Sequence, residues 1–209
     1  MKTQTKETQQ NLSPEMALEI LKKGNDRFVK NLNEKRNLLE QVDETSTGQF
    51  PFAVVLSCID SRVPAEKVFD QGIGDIFSVR IAGNFINEDI LGSMEFACKV
   101  AGSKLIVILG HSSCGAIKGA CDKVELGNLT GLLDKIKPAL QAVKETGDRS
   151  SKNADFVQKV ADKNIEVAIA QVKEKSPILK EMIDNGEIGI VGGMYSVANG
   201  NVTFNQDLE

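Results

Sequence analysis

The sequence predicts an α/β fold in which a parallel β-sheet is covered by helices on both faces. Short apolar runs alternate along the chain with segments of helical periodicity, and the clearest runs are 52–57 and 104–110. Strands that are apolar throughout are typical of a parallel sheet buried on both sides. In such sheets, ligands bind beyond the carboxyl ends of the strands.

The N-terminal region is predicted to consist of a tail, a helix and an arm. Residues 1–12 are polar, and we expect them to be disordered or weakly ordered. A single domain is expected to span 13–209, including an N-terminal arm at 13–48. Ser13 followed by Pro14 is a helix start signal, whereas the polar stretch 31–48 has little apolar periodicity. That stretch is predicted to be extended or irregular and to pack on a neighbouring subunit.

The rest of the chain is predicted to alternate between strands and helices and to close in a hairpin. The turn Asn199-Gly200-Asn201 lies between apolar runs, and Asn-Gly in this position is a hairpin signal. The predicted strands are 52–57, 75–81, 104–110, 188–191, 194–197 and 202–204, and the predicted helices are 89–100, 115–123, 129–146, 153–175 and 177–185.

Composition excludes several classes of function. The chain has 209 residues, a net charge of -4, no Trp and one Tyr, and it has no basic run, so nucleic-acid binding is not expected. The first residues lack the apolar core of a secretory signal, and no run approaches the length of a membrane span. We therefore expect a cytoplasmic protein without a membrane partner.

Cys98 and Cys121 are expected to be small buried hydrophobic residues.

Two predicted strands end in metal-ligating residues. Cys58 and Asp60 follow the first apolar run, and His111 and Cys114 follow the run at 104–110. Thiolate, imidazole and carboxylate are ligands that zinc prefers, and the chain has one histidine. Structural zinc sites usually contain Cys-x-x-Cys pairs, which are absent here. The pattern predicts one catalytic Zn²⁺ per chain, bound by both cysteines and the histidine, with Asp60 either closing the site or leaving it to water.

The spacing of Asp60 and Arg62 predicts an ion pair beside the metal. A guanidinium two residues away can hold a carboxylate through two charge-assisted hydrogen bonds. Two thiolates neutralise the charge of Zn²⁺, so bound water is acidified less than in an all-histidine site. A second group is therefore needed to assist the nucleophile, and Asp60 can accept a hydrogen bond from zinc-bound hydroxide and orient it.

These motifs resemble a known family. Cys58-x-Asp-Ser-Arg62 followed by His111-x-x-Cys-Gly115 is similar to the signature of the bacterial-type β-class carbonic anhydrases, and the likeness covers nearly the whole chain. The resemblance implies zinc-dependent reversible hydration of carbon dioxide to bicarbonate and a proton. It also implies a four-stranded parallel sheet with an added antiparallel edge strand, an N-terminal helical arm, and a homodimer or homotetramer whose sites lie at the subunit interface.

The resemblance also implies roles for individual residues. Gln49 matches a glutamine that hydrogen-bonds substrate from the interface, and Gly83 matches backbone that borders the pocket. Val55 replaces a tryptophan of members that close the site with bicarbonate, so the open form is expected at neutral pH. The implied zinc ligands are Cys58, His111 and Cys114, the catalytic pair is Asp60 and Arg62, and the substrate-binding residues are Gln49, Phe77, Ala82, Gly83 and Phe96.

Two alternatives stay open from the sequence. Related zinc hydrolases act on CS₂ or COS, which would keep the site and change the substrate. A protein of another class would be a non-catalytic zinc or redox-sensing protein, in which Asp60 permanently completes the metal coordination.

Overall fold

A five-stranded sheet forms the centre of the computed structural model, which describes residues 3–204 and 208–209. The strand order is β2-β1-β3-β4-β5, and the first four strands are parallel. The fifth pairs antiparallel with β4 at one edge. The predicted fold class is therefore confirmed. The strands are β1 Ala53–Ser57, β2 Ile76–Arg80, β3 Leu105–His111, β4 Gly189–Tyr195 and β5 Val202–Phe204.

Helices cover the sheet on both sides. Among the described residues, no helix is long and apolar enough to cross a lipid bilayer. A π-helical turn, Phe96–Val100, continues the fifth α-helix. The α-helices are α1 Lys6–Gln10, α2 Pro14–Val29, α3 Leu38–Thr45, α4 Ala65–Val68, α5 Glu88–Glu95, α6 Gly115–Cys121, α7 Gly127–Asp134, α8 Lys137–Ala142, α9 Ala154–Lys175 and α10 Pro177–Asp184.

Alternation along the strands divides the core into two layers. In β1, Val54 and Leu56 pack with α5, α9 and α10, whereas Ala53 and Val55 pack with α2 and α4. All four side chains are fully buried. Since successive strand residues point to opposite faces, one apolar run supplies both layers.

The N-terminal region has more helix than predicted. Residues 6–10 form α1, although weak order was expected for 1–12; Met1 and Lys2 lie outside the described residues. Gln9 explains the order, because its buried Nε2 donates to the carbonyls of Pro51 and Ala101, at 2.8 Å each. The prediction of an irregular arm at 31–48 is wrong for α3. Its N-cap Asn37 accepts from Glu40 N, and its buried Gln41 accepts from Ile73 N.

Two further boundaries differ from prediction. The single helix predicted at 129–146 is divided into α7 and α8. Pro138, in the first turn of α8, has no N–H with which to continue the helix that ends at Asp134. The two runs predicted at 188–191 and 194–197 form one strand, β4. The glycine at 193 leaves room for the neighbouring strand, since a Cβ there would lie 3.2 Å from Val202 Cγ1.

A buried ion-pair cluster anchors the arm beside the amino end of β2. The Asp70 side chain is 3% exposed and accepts from Arg27 Nε at 2.6 Å and from Arg36 Nη1 at 2.6 Å. It also accepts from Glu34 N at 3.2 Å. Burial raises the pKa of Asp70, but the hydrogen bonds from the two arginines outweigh burial, and the pKa lies below its ordinary value. The cluster therefore stabilises the arm while Asp70 is ionised.

We predict that Asp70→Asn lowers the free energy of unfolding at pH 7 by about 3 kcal/mol, because it leaves buried arginine charge without its carboxylate. The folded pKa lies below the unfolded value of about 3.9. The contribution is therefore complete above the unfolded pKa and is lost as the pH falls through the folded pKa. Urea denaturation from pH 7 downward should show the difference between wild type and variant shrinking with acidity.

Asp26→Asn is the matched control for this experiment. Asp26 pairs with Lys30, and the two side chains are 59% and 58% exposed. Its removal should change the free energy of unfolding by less than about 0.5 kcal/mol. Equal losses in the two variants would contradict a special role for the Asp70 cluster.

Candidate metal centre

Three ligand residues meet at the carboxyl ends of β1 and β3. Cys58 follows β1 directly, and His111 is the last residue of β3. Cys114 is the N-cap of α6 and is brought back by a tight turn in which Ser113 has φ +55°. Since non-glycine residues are strained in this left-handed conformation, the turn is held by its surroundings.

The geometry of this group fits a tetrahedral metal ion. The ligand atoms of Cys58, His111 and Cys114 lie within 4.8 Å of one another, and the two sulfurs are 4.0 Å apart. Sulfurs bound to one zinc at ~2.3 Å in tetrahedral geometry would be about 3.8 Å apart, whereas a disulfide needs ~2.05 Å. The pair is therefore spaced for a shared cation and not for a disulfide.

The histidine is oriented for metal binding through Nε2. His111 is fully buried, and its Nδ1 lies 3.0 Å from the carbonyl oxygen of Ser112. Since a carbonyl only accepts, Nδ1 carries the proton and Nε2 keeps its lone pair. Within the described residues, Nε2 is buried and makes no hydrogen bond. Such an atom is costly to bury, and a metal ion at this position would satisfy it.

The surroundings of the sulfurs are apolar, and this couples the two thiols. The hydrogen bond with Cys114 lowers the pKa of Cys58 to about 4, while the same bond and burial raise the pKa of Cys114. Metal ligation requires both sulfurs as thiolates, so a divalent cation bound here would displace any thiol proton. Around them lies an apolar cluster that includes Ile117, Ile136, Phe156 and Val160.

Asp60 and Arg62 form the ion pair that their spacing predicts. Arg62 donates from Nε to Oδ1 at 2.9 Å and from Nη2 to Oδ2 at 2.7 Å. The Arg62 side-chain hydrogen bonds hold the pKa of Asp60 well below its ordinary range. Oδ2 lies 3.9 Å from His111 Nε2. The carboxylate thus lies beside the metal position, but both of its oxygens accept hydrogen bonds from Arg62.

The loop after β2 closes over this group. The backbone N–H of Gly83 donates to Cys58 Sγ at 3.4 Å, and Ala82 precedes it on the same loop. The structure therefore brings Ala82 and Gly83 to the metal edge of the sheet. From the opposite side, Asn164 Nδ2 donates to the Gly83 carbonyl at 2.8 Å. Arg80 holds the loop after β1, because its side chain donates to the carbonyls of Cys58 and Asp60.

Three predicted substrate-binding residues are not brought to the metal group of their own chain. Gln49 is exposed and precedes β1, which separates it from Cys58 by at least about 17 Å of strand. Phe77 pairs with Val54, four residues before Cys58, or about 13 Å away. Phe96 packs edge-on against Phe77, with ring centroids 6.1 Å apart.

Sequence reasoning missed two residues that shape the site. Asn164 is 3% exposed on an otherwise apolar stripe of α9, and a lone amide in such a stripe is the signal that would have found it. Ser112 was also missed: its hydroxyl accepts from Val197 N, which ties the turn after His111 to the β4–β5 hairpin. No local pattern marks that contact.

Comparison with known proteins gives one consistent family. The family profile described as "Carbonic anhydrase" matches residues 53–202. "Carbonic anhydrase 2" of Mycobacterium tuberculosis is 36% identical over 198 residues, covering 91% of this chain and 92% of its own. A solved β-carbonic anhydrase of Aspergillus fumigatus has a TM-score of 0.68 at 26% identity, covering 81% of each chain. A tetrameric β-carbonic anhydrase of Sordaria macrospora has a TM-score of 0.68 at 24% identity, covering 78% of this chain and 85% of its own.

We predict that the purified protein binds one divalent metal ion per chain and that Cys58→Ser, His111→Ala and Cys114→Ser each reduce this amount. A chelator should lower the melting temperature of the wild type and leave that of the ligand variants nearly unchanged, because binding to the folded state adds stability. Atomic emission and thermal melting measure the two effects.

Cys98→Ala is the control for thiol loss. Cys98 is 2% exposed and lies in the apolar core between the sheet and α5, α9 and α10. Its variant should keep the full metal content. Full metal content in Cys114→Ser would contradict the ligand assignment.

Proposed function

Because the chain belongs to the β-class carbonic anhydrase family, we propose that it hydrates carbon dioxide reversibly using one zinc ion held by Cys58, His111 and Cys114. Family membership makes the protein an enzyme of the carbonic anhydrase class. The zinc ion and the roles of individual residues are the proposal. The observation that carries it is the buried His111 Nε2, which makes no hydrogen bond in the described chain. It belongs to a ring with a nitrogen that lies within 4.8 Å of both sulfurs.

Zinc, when bound, would supply a Lewis acid that makes water nucleophilic near neutral pH. The chain's own residues would hold and orient the reactants. Asp60 is ionised, so it can only accept hydrogen bonds. It would accept one from the attacking water and so direct the oxygen lone pair toward the carbon of CO₂. Arg62 fixes this acceptor in a bidentate pair and keeps it off the metal, which favours the open state of the site.

Ala82 and Gly83 would form the wall of the pocket beside Cys58. Gly83 has φ +81°, and a Cβ at this position would lie 2.7 Å from Ile136 Cδ1. The left-handed φ disfavours any side chain at this position, and we propose that the bare backbone borders the small, apolar substrate. With the cluster around Cys114, this gives an apolar floor suited to CO₂.

The positions of the other predicted substrate-binding residues favour an oligomeric enzyme. Gln49 lies at the amino end of β1, so it would reach a metal centre only in a second copy of the chain. Near it, α3 exposes Leu38, Leu39 and Val42 by 48%, 80% and 49%. Exposed apolar side chains of this kind are typical of protein interfaces. The solved relative from Sordaria macrospora is described as tetrameric. We therefore propose at least a homodimer, with Gln49, Phe77 and Phe96 contributed to the partner's pocket.

Stopped-flow CO₂ hydration at pH 8.5 with stoichiometric zinc tests the proposed activity. The wild type should be active, and Asp60→Asn should lower kcat/KM by roughly 100-fold, because a neutral amide replaces the acceptor. Zinc content should stay at one ion per chain, since Asp60 is not among the three ligands. Asp26→Asn, which removes an exposed carboxylate paired with Lys30, is the control and should keep wild-type activity.

Three results would contradict this proposal. They are inactivity toward CO₂ with a fully occupied metal site, turnover of COS or CS₂ in place of CO₂, and loss of zinc in Asp60→Asn. The last result would mean that the carboxylate completes the coordination.

Subunit complementation tests the origin of Gln49. Gln49→Ala should lower kcat/KM by about tenfold, the effect of roughly one lost hydrogen bond, and Cys58→Ala should be inactive. A heterodimer of these two chains, purified through different tags, contains one site with both groups intact. It should show about half the wild-type rate, as two-fold symmetry requires. If Gln49 acts within its own chain, no intact site forms, and the heterodimer has about half the activity of the Gln49→Ala homodimer, since its second site lacks Cys58.

A further inference from the structure

In the loop after β2, one residue, Gly83, forms hydrogen bonds with two different parts of the chain. The N–H of Gly83 donates to Cys58 Sγ at 3.4 Å, and its carbonyl accepts from Asn164 Nδ2 at 2.8 Å. All three residues are at least nine-tenths buried. A continuous path of two hydrogen bonds therefore runs from α9 to a metal-ligating sulfur.

The helix that carries Asn164 is seated firmly on the sheet. Gly110 in β3 permits this close approach, because a Cβ there would lie 2.8 Å from Ile165 Cδ1. Ile165 follows Asn164 directly, and Gly110 precedes His111. Since packing fixes α9 against the end of β3, the amide of Asn164 has a defined position relative to the metal ligands.

Gly83 requires such an external contact. Its φ of +81° lies in a region that glycine enters freely, so the residue does not by itself fix the direction of its N–H. The following residue, Asn84, also has a positive φ, of +39°. Conformations of this kind persist when neighbouring groups hold them. The bond from Asn164 is the side-chain contact that restrains the Gly83 carbonyl.

We infer that Asn164 is a positioning residue of the metal centre, which holds Gly83 so that its N–H donates to the Cys58 thiolate. An N–H donor withdraws charge from a thiolate and fixes its orientation toward a metal. Partners of metal ligands typically alter metal affinity 10- to 100-fold. The inference rests on the proposed function in one respect, namely that Cys58 is a metal ligand.

Cobalt binding by the full-length protein tests this role. Co²⁺ substitutes for zinc in tetrahedral thiolate sites and gives a sulfur-to-cobalt charge-transfer band in the near ultraviolet. Asn164→Leu keeps the approximate side-chain size, and both Asn164→Leu and the smaller Asn164→Ala remove the side-chain donor. Both should raise the Kd for Co²⁺ by about 10- to 100-fold in chelator competition and shift the charge-transfer band.

Asn25→Ala is the matched control, because Asn25 is also a buried amide that bonds to backbone. It is 4% exposed and donates to the carbonyls of Val68 and Gly200, at 3.0 and 2.9 Å, in contacts with α4 and the β4–β5 turn. Its variant should lose thermal stability and keep the wild-type Kd and band position. This separates metal positioning from a general effect on folding.

The outcomes distinguish the inference from the metal site itself. Asn164 variants that bind Co²⁺ within twofold of wild type, with an unshifted band, would overturn the positioning role whatever their melting temperatures. If Asn164→Leu does not fold, Asn164→Ala, which also lacks a side-chain donor, carries the same test. Absence of the thiolate band in the unmutated protein would instead contradict the metal centre.

Discussion

The parallel pairing of β1 with β3 is the constraint on which the candidate metal centre depends. Its register sets Ser57 opposite Leu109, so that Cys58 and His111 leave the sheet on neighbouring strands. Strands in a sheet lie ~4.8 Å apart, and ligands at their ends therefore meet without a long loop. A slip of one residue would turn every side chain to the opposite face. Close packing of both apolar layers opposes such a slip, because Val54 and Val55 are each fully buried among different neighbours.

Polar groups buried at this edge of the sheet need hydrogen-bond partners, and backbone groups supply them to the candidate ligands. The thiols and the imidazole lie in an apolar cluster, where electrostatic interactions are strong and unsatisfied atoms are costly. The carbonyl of Ser112 fixes the tautomer of His111, and the N–H of Gly83 approaches Cys58. Since these partners belong to loops, other elements must hold the loops. Asn164 and Arg80 do so with side chains that reach backbone carbonyls. The candidate site is thus ordered by side chains that bond to the loops and do not themselves contact a metal.

The sequence predicts well what is encoded locally. The apolar runs give the strands, and the residues directly after them give the Cys58, His111 and Cys114 group, because strand ends determine where those side chains lie. Contacts between distant segments are the part that was missed. α1 is ordered because Gln9 bonds to two loops some 40 and 90 residues away, and no local pattern signals this. The division between α7 and α8 is different: Pro138 was visible in the sequence, and its known effect on helices predicts the break.

The two ends of the sheet are linked by the proposed assembly. The carboxyl end holds the proposed metal ligands, while the amino end carries the arm, anchored where Asp70 binds Arg27 and Arg36. Breaking this buried ion pair in a lone chain is costly, because it leaves the arginine charges without their carboxylate. The pair also fixes the arm before association, and a preorganised segment loses less conformational entropy on binding. If Gln49 completes a partner's pocket, the Asp70 cluster therefore contributes to the activity of the neighbouring subunit as well as to the stability of its own.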